Sequence, residues 1–258
     1  MRSIWKGSIG FGLVNIPVSM YSATEESNLP FVTLDKSNNG RIRYKKVNET
    51  TGKEVKETDI IKGYKVGEHY VLMDEADFQK ATPEKIDHLE IVQFVNEKDI
   101  DAVYFEKPYY LTPDKSGARA YALLRDALKK EGKAALGPLV YHKREWVCLI
   151  KPFGEHLMLH RLRFAEEIRG TETITVPATT VKPEELKMAS SLISQLTKPF
   201  KPDAFKDEYA EKLLKVIEAK SKGKSAPVKH MKLVHSSTTE DLMQKLKASL
   251  KTSSRKAS

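Results

Sequence analysis

Short segments rich in Val, Ile, Tyr and Phe recur between turn signals through about the first 165 residues. Turns are indicated where Asn, Gly and Thr cluster, as at Asn38-Asn39-Gly40 and Thr51-Gly52. Many short strands at such close spacing favour a barrel or a sandwich over a parallel sheet. Strands are therefore predicted around residues 4–14, 41–47, 70–73, 91–95, 103–111, 139–150 and 156–164.

Two helices are expected to interrupt this region. A short one begins after Asp74, whose side chain can cap its first turn. A longer one is predicted from about residue 117 to residue 131, because Tyr121, Leu124 and Leu128 recur at the spacing of one helical face. The predicted fold class is therefore mainly β with some α.

The apolar pattern becomes helical after Val176-Pro177. One helix is predicted to begin at Pro183, a residue that the first helical turn tolerates. Its shared apolar face comprises Leu186, Ala189, Ile193 and Leu196. The next helix is predicted to end near Gly223 and to bury a stripe made of Phe205, Tyr209, Leu213 and Val216.

The last part of the chain is predicted to be a flexible basic tail. Residues 221–237 are rich in Lys, Ser and Gly, a composition typical of linkers. Residues 239–250 show the amphipathic pattern of a further helix. The predicted organisation is a core over residues 1–182, a helical arm over 183–220 and the tail over 221–258.

Positive charge is concentrated at the end of the chain. The formal net charge is +9, and residues 219–258 contain ten Lys or Arg against two acidic residues. The remaining residues carry 34 basic and 33 acidic side chains, so the body is nearly neutral. Such a tail indicates contact with nucleic acid or anionic lipid, or else only a solubilising role.

The motifs that suggest an enzyme lack the context that they need. Asp74-Glu75-Ala76-Asp77 spells a helicase-like tetrapeptide, but no phosphate-binding loop precedes it. Gly7, Gly10 and Gly12 do not form a dinucleotide fingerprint and instead indicate close strand packing or bulges. No Ser, His and acid arrangement can be picked out by local sequence. We predict a protein that is not an enzyme and uses no cofactor.

A metal site is also not expected. Cys148, His156 and His160 can be imagined as zinc ligands on adjacent strands, but packing roles are much more common for such residues. A single cysteine excludes an internal disulfide and suits a reducing cytoplasm. Apolar runs are too short for a signal peptide or a membrane span. We therefore expect a cytoplasmic protein that does not act at a membrane.

Two strand-like segments carry basic residues in alternation. Arg41, Arg43 and Lys45 are predicted to share one strand face, with Ile42 and Tyr44 packed on the other. Same-face residues lie ~6.6 Å apart, close to the spacing of DNA phosphates. Arg161 and Arg163 form a shorter ladder. Each ladder can equally be a solvated face or pair with acids on neighbouring strands.

Several long motifs are similar, in order, to those of one protein family. Residues 4–18, IWKGSIGFGLVNIPV, closely resemble the opening of bacterial Ku proteins. Further segments that resemble this family are residues 40–47, 59–64, 105–115, 120–128, 185–189 and 206–209, with weaker similarity at 241–243 and 249–250. One departure is that some relatives have paired cysteines where this chain has Asn48 to Gly52, so a metal hook there is not supported.

The resemblance implies a β-barrel core with a long excursion, or bridge, at about residues 36–70. Two copies would form a ring around double-stranded DNA, bind its ends without sequence preference in non-homologous end joining, and recruit a multifunctional DNA ligase. The DNA-binding residues implied in or near the channel are Arg41, Arg43, Lys45, Lys46, Lys53, Lys56, Lys62 and Lys65, and Arg161 and Arg163 are added from the second ladder.

The tail has two expected contacts. Its DNA-binding candidates are Lys220, Lys222, Lys224, Lys229, Lys232, Lys245, Lys247 and Lys251. The apolar face of its predicted helix, Leu242, Met243, Leu246 and Leu250, is the candidate surface for the ligase. Two other functions remain open: a basic architectural protein that coats DNA without needing ends, and an RNA-binding barrel.

Overall fold

The computed structural model describes residues 1–27, 29–81 and 87–223 of the 258-residue chain. Its strands are β1 (Trp5–Phe11), β2 (Val14–Ser22), β3 (Lys62–Val66), β4 (His69–Met73), β5 (His88–Glu90), β6 (Gln93–Val95), β7 (Phe105–Pro113), β8 (Ala134–Tyr141), β9 (Arg144–Phe153) and β10 (His156–Leu162). Its α-helices are α1 (Glu75–Lys80), α2 (Ala118–Glu131), α3 (Pro183–Leu196) and α4 (Glu208–Ser221).

Seven strands close into a barrel in the order β5-β1-β2-β7-β10-β9-β8, because β8 pairs again with β5 where Leu139 faces Leu89. The pairing of β1 with β5 is parallel, whereas the other neighbours around the barrel are antiparallel. Strand β6 continues the sheet beyond β8. The predicted barrel is therefore confirmed.

Closure brings β8 very near to β5. A Cβ atom on Gly137 would lie 1.9 Å from the carbonyl oxygen of Glu90, so no side chain fits at this position. Similarly close approaches at Gly7 and Gly10 confirm the predicted role of these glycines in strand packing. Gly12 instead occupies the left-handed conformation, with φ +59°, in the turn between β1 and β2.

Alternate residues of the barrel strands fill its interior, as period-2 side-chain direction requires. Large side chains that are almost completely buried include Ile9, Ile16, Met20, Leu111, Ile150, Leu157 and Leu159. Helix α2 adds Tyr121, Leu124 and Leu128 to the same cluster, which confirms both the helix and its predicted face. Gly132, at φ +62°, ends this helix in the left-handed conformation that glycine favours.

A long excursion leaves the barrel after β2 and returns to it at β5. Strands β3 and β4 form a two-stranded hairpin within it, and all residues of β3 are exposed. Helix α1 follows, and its capping box confirms Asp74 as the predicted cap, with the carboxylate of Asp74 accepting from the Asp77 N–H at 2.9 Å.

The prediction of a strand at residues 41–47 is wrong. Only isolated bridges are present there, Leu34 with Arg41 and Val47 with Glu54. Ile42 and Tyr44, predicted to pack on one face, are 45% and 88% exposed. The alternating pattern had predicted a half-buried strand, but the described residues provide no sheet against which this segment could be buried.

Other strand boundaries also differ from those predicted. The stretch 139–150 contains the turn between β8 and β9, where His142 and Lys143 have φ values of 51° and 63°. Residues 4–14 span β1 and its turn, and residues 91–95 contain the break between β5 and β6. Strand β3 was not predicted, because its KGYKV sequence has little apolar pattern.

The described residues from Glu172 to Gly223 belong to a second unit, whereas the barrel belongs to the unit Met1–Thr171. Helices α3 and α4 are present as predicted, but their stripes are not buried: Ile193 is 67% and Tyr209 73% exposed. Phe205 precedes α4 rather than belonging to it. Amphipathic spacing identifies one face of a helix but not the surface that covers it.

No helix within residues 1–27, 29–81 and 87–223 is long and apolar enough to cross a membrane.

Candidate nucleic-acid interface

The excursion carries a dense set of exposed cations. All eight predicted bridge residues, Arg41, Arg43, Lys45, Lys46, Lys53, Lys56, Lys62 and Lys65, have exposed side chains. Two of them form ion pairs: Lys45 with Glu54 at 2.6 Å and Lys46 with Glu57 at 2.5 Å. Ion pairs this exposed contribute only about 0–1 kcal/mol, so a phosphate can replace the carboxylate at little cost.

The other six bridge cations form no ion pair with a described residue. The Lys62 ammonium lies 4.8 Å from the centre of the Phe78 ring, a cation–π contact. Among the eight predicted bridge residues, Arg41, Arg43, Lys53, Lys56 and Lys65 form neither an ion pair nor a cation–π contact with a described residue. These five are the bridge candidates most available to an external anion.

Arg161 has a different environment from the bridge cations. Its guanidinium lies 3.1 Å from a carboxylate oxygen of Glu106 and 4.8 Å from the centre of the Trp146 ring. Only 25% of its side chain is exposed. The alternative considered from sequence, a pair with an acid on the neighbouring strand, therefore describes Arg161 well.

The predicted ladder of Arg161 and Arg163 is not formed. The strand register shifts between Arg161 and Leu162, and β10 ends at Leu162. Arg163 lies beyond the strand, where its N–H donates to the Tyr104 carbonyl at 2.8 Å. The shift breaks the strict alternation on which the ladder depended. A role for either residue in DNA binding stays a prediction.

The tail candidates lie almost entirely outside the described residues. Lys220 is in the last turn of α4 and Lys222 caps it, and both are exposed. The candidates beyond residue 223 are Lys224, Lys229, Lys232, Lys245, Lys247, Lys251 and the apolar set Leu242, Met243, Leu246 and Leu250.

The residues considered for zinc are separated by their environments. Cys148 is fully buried inside the barrel, and burial raises the pKa of its thiol to about 12, only partly offset by the nearby Arg161 charge. His160 packs edge-on against Phe105 with ring centres 5.3 Å apart, and burial lowers its pKa. Among the described residues, no three His, Cys, Asp or Glu side chains are grouped to hold a metal ion.

A chain of polar side chains that sequence analysis missed links β1 to β5. The Ser8 hydroxyl lies 2.9 Å from Nδ1 of His88, and Nε2 of His88 lies 2.9 Å from a carboxylate oxygen of Glu90. Gly10 leaves room for this arrangement, because a Cβ there would lie 2.7 Å from the His88 ring. Ser8 and His88 are 80 positions apart, so no local motif could reveal them.

The Ser8, His88 and Glu90 chain resembles a hydrolase triad in composition but not in context. The Ser8 N–H already donates to the Asp87 carbonyl at 3.0 Å, so it is not available to stabilise an oxyanion. Ser8 and His88 are also direct partners in the parallel pairing of β1 with the three-residue β5. The arrangement therefore fastens a short strand to the barrel.

Exposed apolar residues accompany the cations of the excursion. In the β3–β4 hairpin, Tyr64, Tyr70 and Leu72 are 71%, 68% and 61% exposed. A two-stranded hairpin is only marginally stable by itself, and clustered exposed apolar side chains mark interaction surfaces. This part of the molecule therefore has the properties of an interface as well as a cationic surface.

Comparison with known proteins agrees with the barrel topology. The family model of the Ku70/Ku80 beta-barrel domain matches residues 10–188. A "Non-homologous end joining protein Ku" from Coxiella burnetii is 38% identical, over 96% of this chain and 94% of that protein. Proteins of the same name from Archaeoglobus fulgidus and Pseudomonas aeruginosa are each 37% identical, over 88% and 85% of this chain and 91% and 77% of their own lengths. The chain belongs to the Ku family.

Proposed function

We propose that this protein binds the ends of double-stranded DNA in non-homologous end joining, without sequence preference and as a homodimeric ring. It acts as a binding protein and not as an enzyme. The observation that carries the proposal is the excursion, which combines exposed, unpaired cations with exposed apolar side chains on a chain of the Ku family. Its relatives are named for the same repair process.

The apolar residues of the excursion support the dimer. Tyr70 and Leu72, which share one face of the hairpin, gain most if a second copy covers them, because each buried apolar Å² contributes about 25 cal/mol. In a symmetric contact, the excursion of one copy would meet the excursion of the other while each stays connected to its own barrel. The two copies would then enclose a central opening. Closed two-fold symmetry is the most common arrangement of homo-oligomers.

The cations support contact with the DNA backbone. Arg41, Arg43 and Lys65 offer charge with no acidic partner in the described residues, and phosphate contacts position a protein without reading bases. A closed ring admits DNA only from a free end, so a break is selected by topology. If the ring makes about 6–10 phosphate contacts, its affinity for DNA should fall by a factor of about 10³–10⁵ as the salt concentration rises from 50 to 200 mM.

The experiment that tests this proposal compares two forms of one DNA sequence. Binding to a linear duplex and to the same sequence as a covalently closed circle is measured by gel shift at fixed salt. Strong binding to the linear form alone is expected for a ring. Equal binding to both would contradict the ring and favour the alternative of a basic protein that coats DNA.

We also propose that the tail recruits a multifunctional DNA ligase and holds flanking DNA. Its support is the concentration of basic residues after residue 219 and the apolar set Leu242, Met243, Leu246 and Leu250. The test is a chain that ends at Gly223, compared with the full chain in DNA bridging and in stimulation of end ligation. Loss of either activity is expected. Retention of both would contradict the proposed role of the tail, but it would not contradict the proposal that the ring binds DNA ends.

A further inference from the structure

An apolar groove of about 310 Å³ opens on the barrel. Its lining residues come from β1, β6, α2 and the turn after α2, and not from the excursion that carries the cations. Phe11 and Phe94 form one wall, with ring centres 6.0 Å apart in an edge-on arrangement. Its floor is one face of α2, formed at helical spacing by Leu124, Ala127, Leu128 and Glu131. The volume is at the lower end of the range for ligand pockets, so it suits a few apolar side chains better than a cofactor.

A strand edge without a partner lies beside this groove. Strand β6, which carries Phe94, is the last strand of its sheet and pairs only with β8. Strand β1 runs beside β5 as far as the Ile91 N–H, which donates to the Gly10 carbonyl at 3.0 Å. Within the described residues no strand continues alongside β6. An extended peptide can add to such an edge, with backbone hydrogen bonds supplying affinity and side-chain pockets supplying specificity.

The side chains at this edge are more exposed than their apolar character favours. Phe94 is 48% and Val92 61% exposed. An edge strand of only three residues limits unwanted pairing with other chains, as charges or proline do at longer edges. Here the central residue of β6 is a phenylalanine that faces an apolar groove, which favours occupation by a partner.

The charge around the groove specifies what kind of peptide fits. Lys129 and Lys130 lie in the last turn of α2, where they also suit the helix dipole, and Lys133 lines the groove itself. Lys133 donates to the neutral side-chain oxygen of Asn96 at 2.6 Å, so its charge is not neutralised by this contact. Two acids lie beside these lysines: Glu131 also lines the groove, and Asp99 accepts a hydrogen bond from the Asn96 side chain at 2.9 Å. The three lysines still exceed these two acids, so an acidic segment is favoured over the chain's own basic tail or DNA.

We propose that this groove binds an extended segment of a partner protein that carries apolar side chains at alternate positions and acidic residues beside them. The segment pairs with the free edge of β6. Since side chains of a strand alternate between faces, every second residue enters the groove between Phe94 and α2. The flanking acids meet Lys133 and the end of α2.

The test begins with a selection of short peptides displayed on phage, using the full-length protein as bait and the Phe94→Ser variant as counter-selection. Selected peptides are then measured by fluorescence anisotropy against both proteins and against Lys133→Glu. Phe153→Ser is the matched control, because Phe153 is likewise half-exposed, at 50%, but does not line the groove. Thermal unfolding and DNA-end binding are measured for every variant.

The expected consensus is acidic with apolar residues at alternate positions. Phe94→Ser should weaken binding by about tenfold or more, as the loss of an aromatic anchor does. Lys133→Glu should weaken it in a salt-dependent way with the apolar wall intact, and Phe153→Ser should not change it. A basic consensus, equal binding to Phe94→Ser and Lys133→Glu as to the unaltered protein, or displacement by a peptide of residues 239–250 would overturn the proposal.

Discussion

The phenol oxygen of Tyr121 lies 2.6 Å from the carbonyl oxygen of Leu111, to which it donates a hydrogen bond. The same oxygen accepts a 2.6 Å hydrogen bond from the backbone N–H of Leu157. Leu111 and Leu157 face each other across β7 and β10. One hydroxyl on α2 therefore satisfies backbone groups of two barrel strands and fixes the helix to the barrel.

Replacing this hydroxyl is expected to destabilise the fold. Tyr121→Phe keeps the ring but leaves a buried N–H and carbonyl without their partner, which costs about 1–3 kcal/mol. Urea denaturation should show a lower midpoint with an unchanged slope. Tyr110→Phe is the control, because the Tyr110 hydroxyl makes no hydrogen bond to a described residue. Equal losses for the two variants would contradict this role.

The Cys148 thiol is expected to be unreactive in the folded protein. Its pKa of about 12 lies above the ordinary value of 9.0, since burial disfavours the thiolate. The folded pKa is the higher one, so this group contributes stability below about pH 9 that is lost as pH rises towards 12. A thiol reagent at neutral pH should label the protein only in denaturant. Rapid labelling of the folded protein, absent in Cys148→Ala, would show that the thiol is accessible.

The Ser8 and His88 contact is expected to matter for stability and not for catalysis. Ser8→Ala removes one hydrogen bond from the His88 ring and should cost about 0.5–1.5 kcal/mol in urea denaturation. Ser116→Ala, at an exposed position, should change stability by less than about 0.5 kcal/mol. A fluorophosphonate probe for serine hydrolases should not label the protein. Labelling that disappears in Ser8→Ala would refute the structural interpretation.

Arg43 and Arg161 are expected to respond differently to substitution. Arg43→Gln should reduce the salt-dependence slope of DNA binding by about 1 for each subunit, with little effect on stability. Arg161→Gln should instead lower stability by about 1–3 kcal/mol, because it leaves the half-buried Glu106 carboxylate unpaired. Gel shifts over a salt series and urea denaturation of both variants separate the two roles. A full slope change for Arg161→Gln would place it at the DNA instead.

The parts of the fold that sequence predicted are those determined by local pattern. The apolar period of Tyr121, Leu124 and Leu128 identified α2 and its buried face, because that period is contained within one helix. The strand predicted at residues 41–47 had an equally regular pattern, but a strand also needs a neighbour, and Tyr44 is left exposed. Strand β3 was not predicted because its own sequence is mostly polar, yet the neighbouring β4 pairs with it.

In the candidate site, too, some features were predictable from the local sequence and others were not. Exposure of the cations in the excursion follows from their charge and was predictable. The Glu106 partner of Arg161 depends on the pairing of β7 with β10, and the Ser8 partner of His88 depends on barrel closure. Such contacts between residues distant in sequence require the topology, which local patterns do not contain.

The parallel pairing of β1 with β5 has a consequence for how the protein can vary. Barrel closure requires only that the two ends of the excursion meet, and Ser8 and His88 lie 80 positions apart. The entropy of closing a loop grows slowly with its length, by about 0.6 kcal/mol for each doubling. Insertions at an exposed turn such as Thr51-Gly52 can therefore change the reach of the excursion while barely altering the barrel. The barrel and the excursion are therefore free to evolve at different rates, and an engineer can change the length of the excursion without redesigning the barrel.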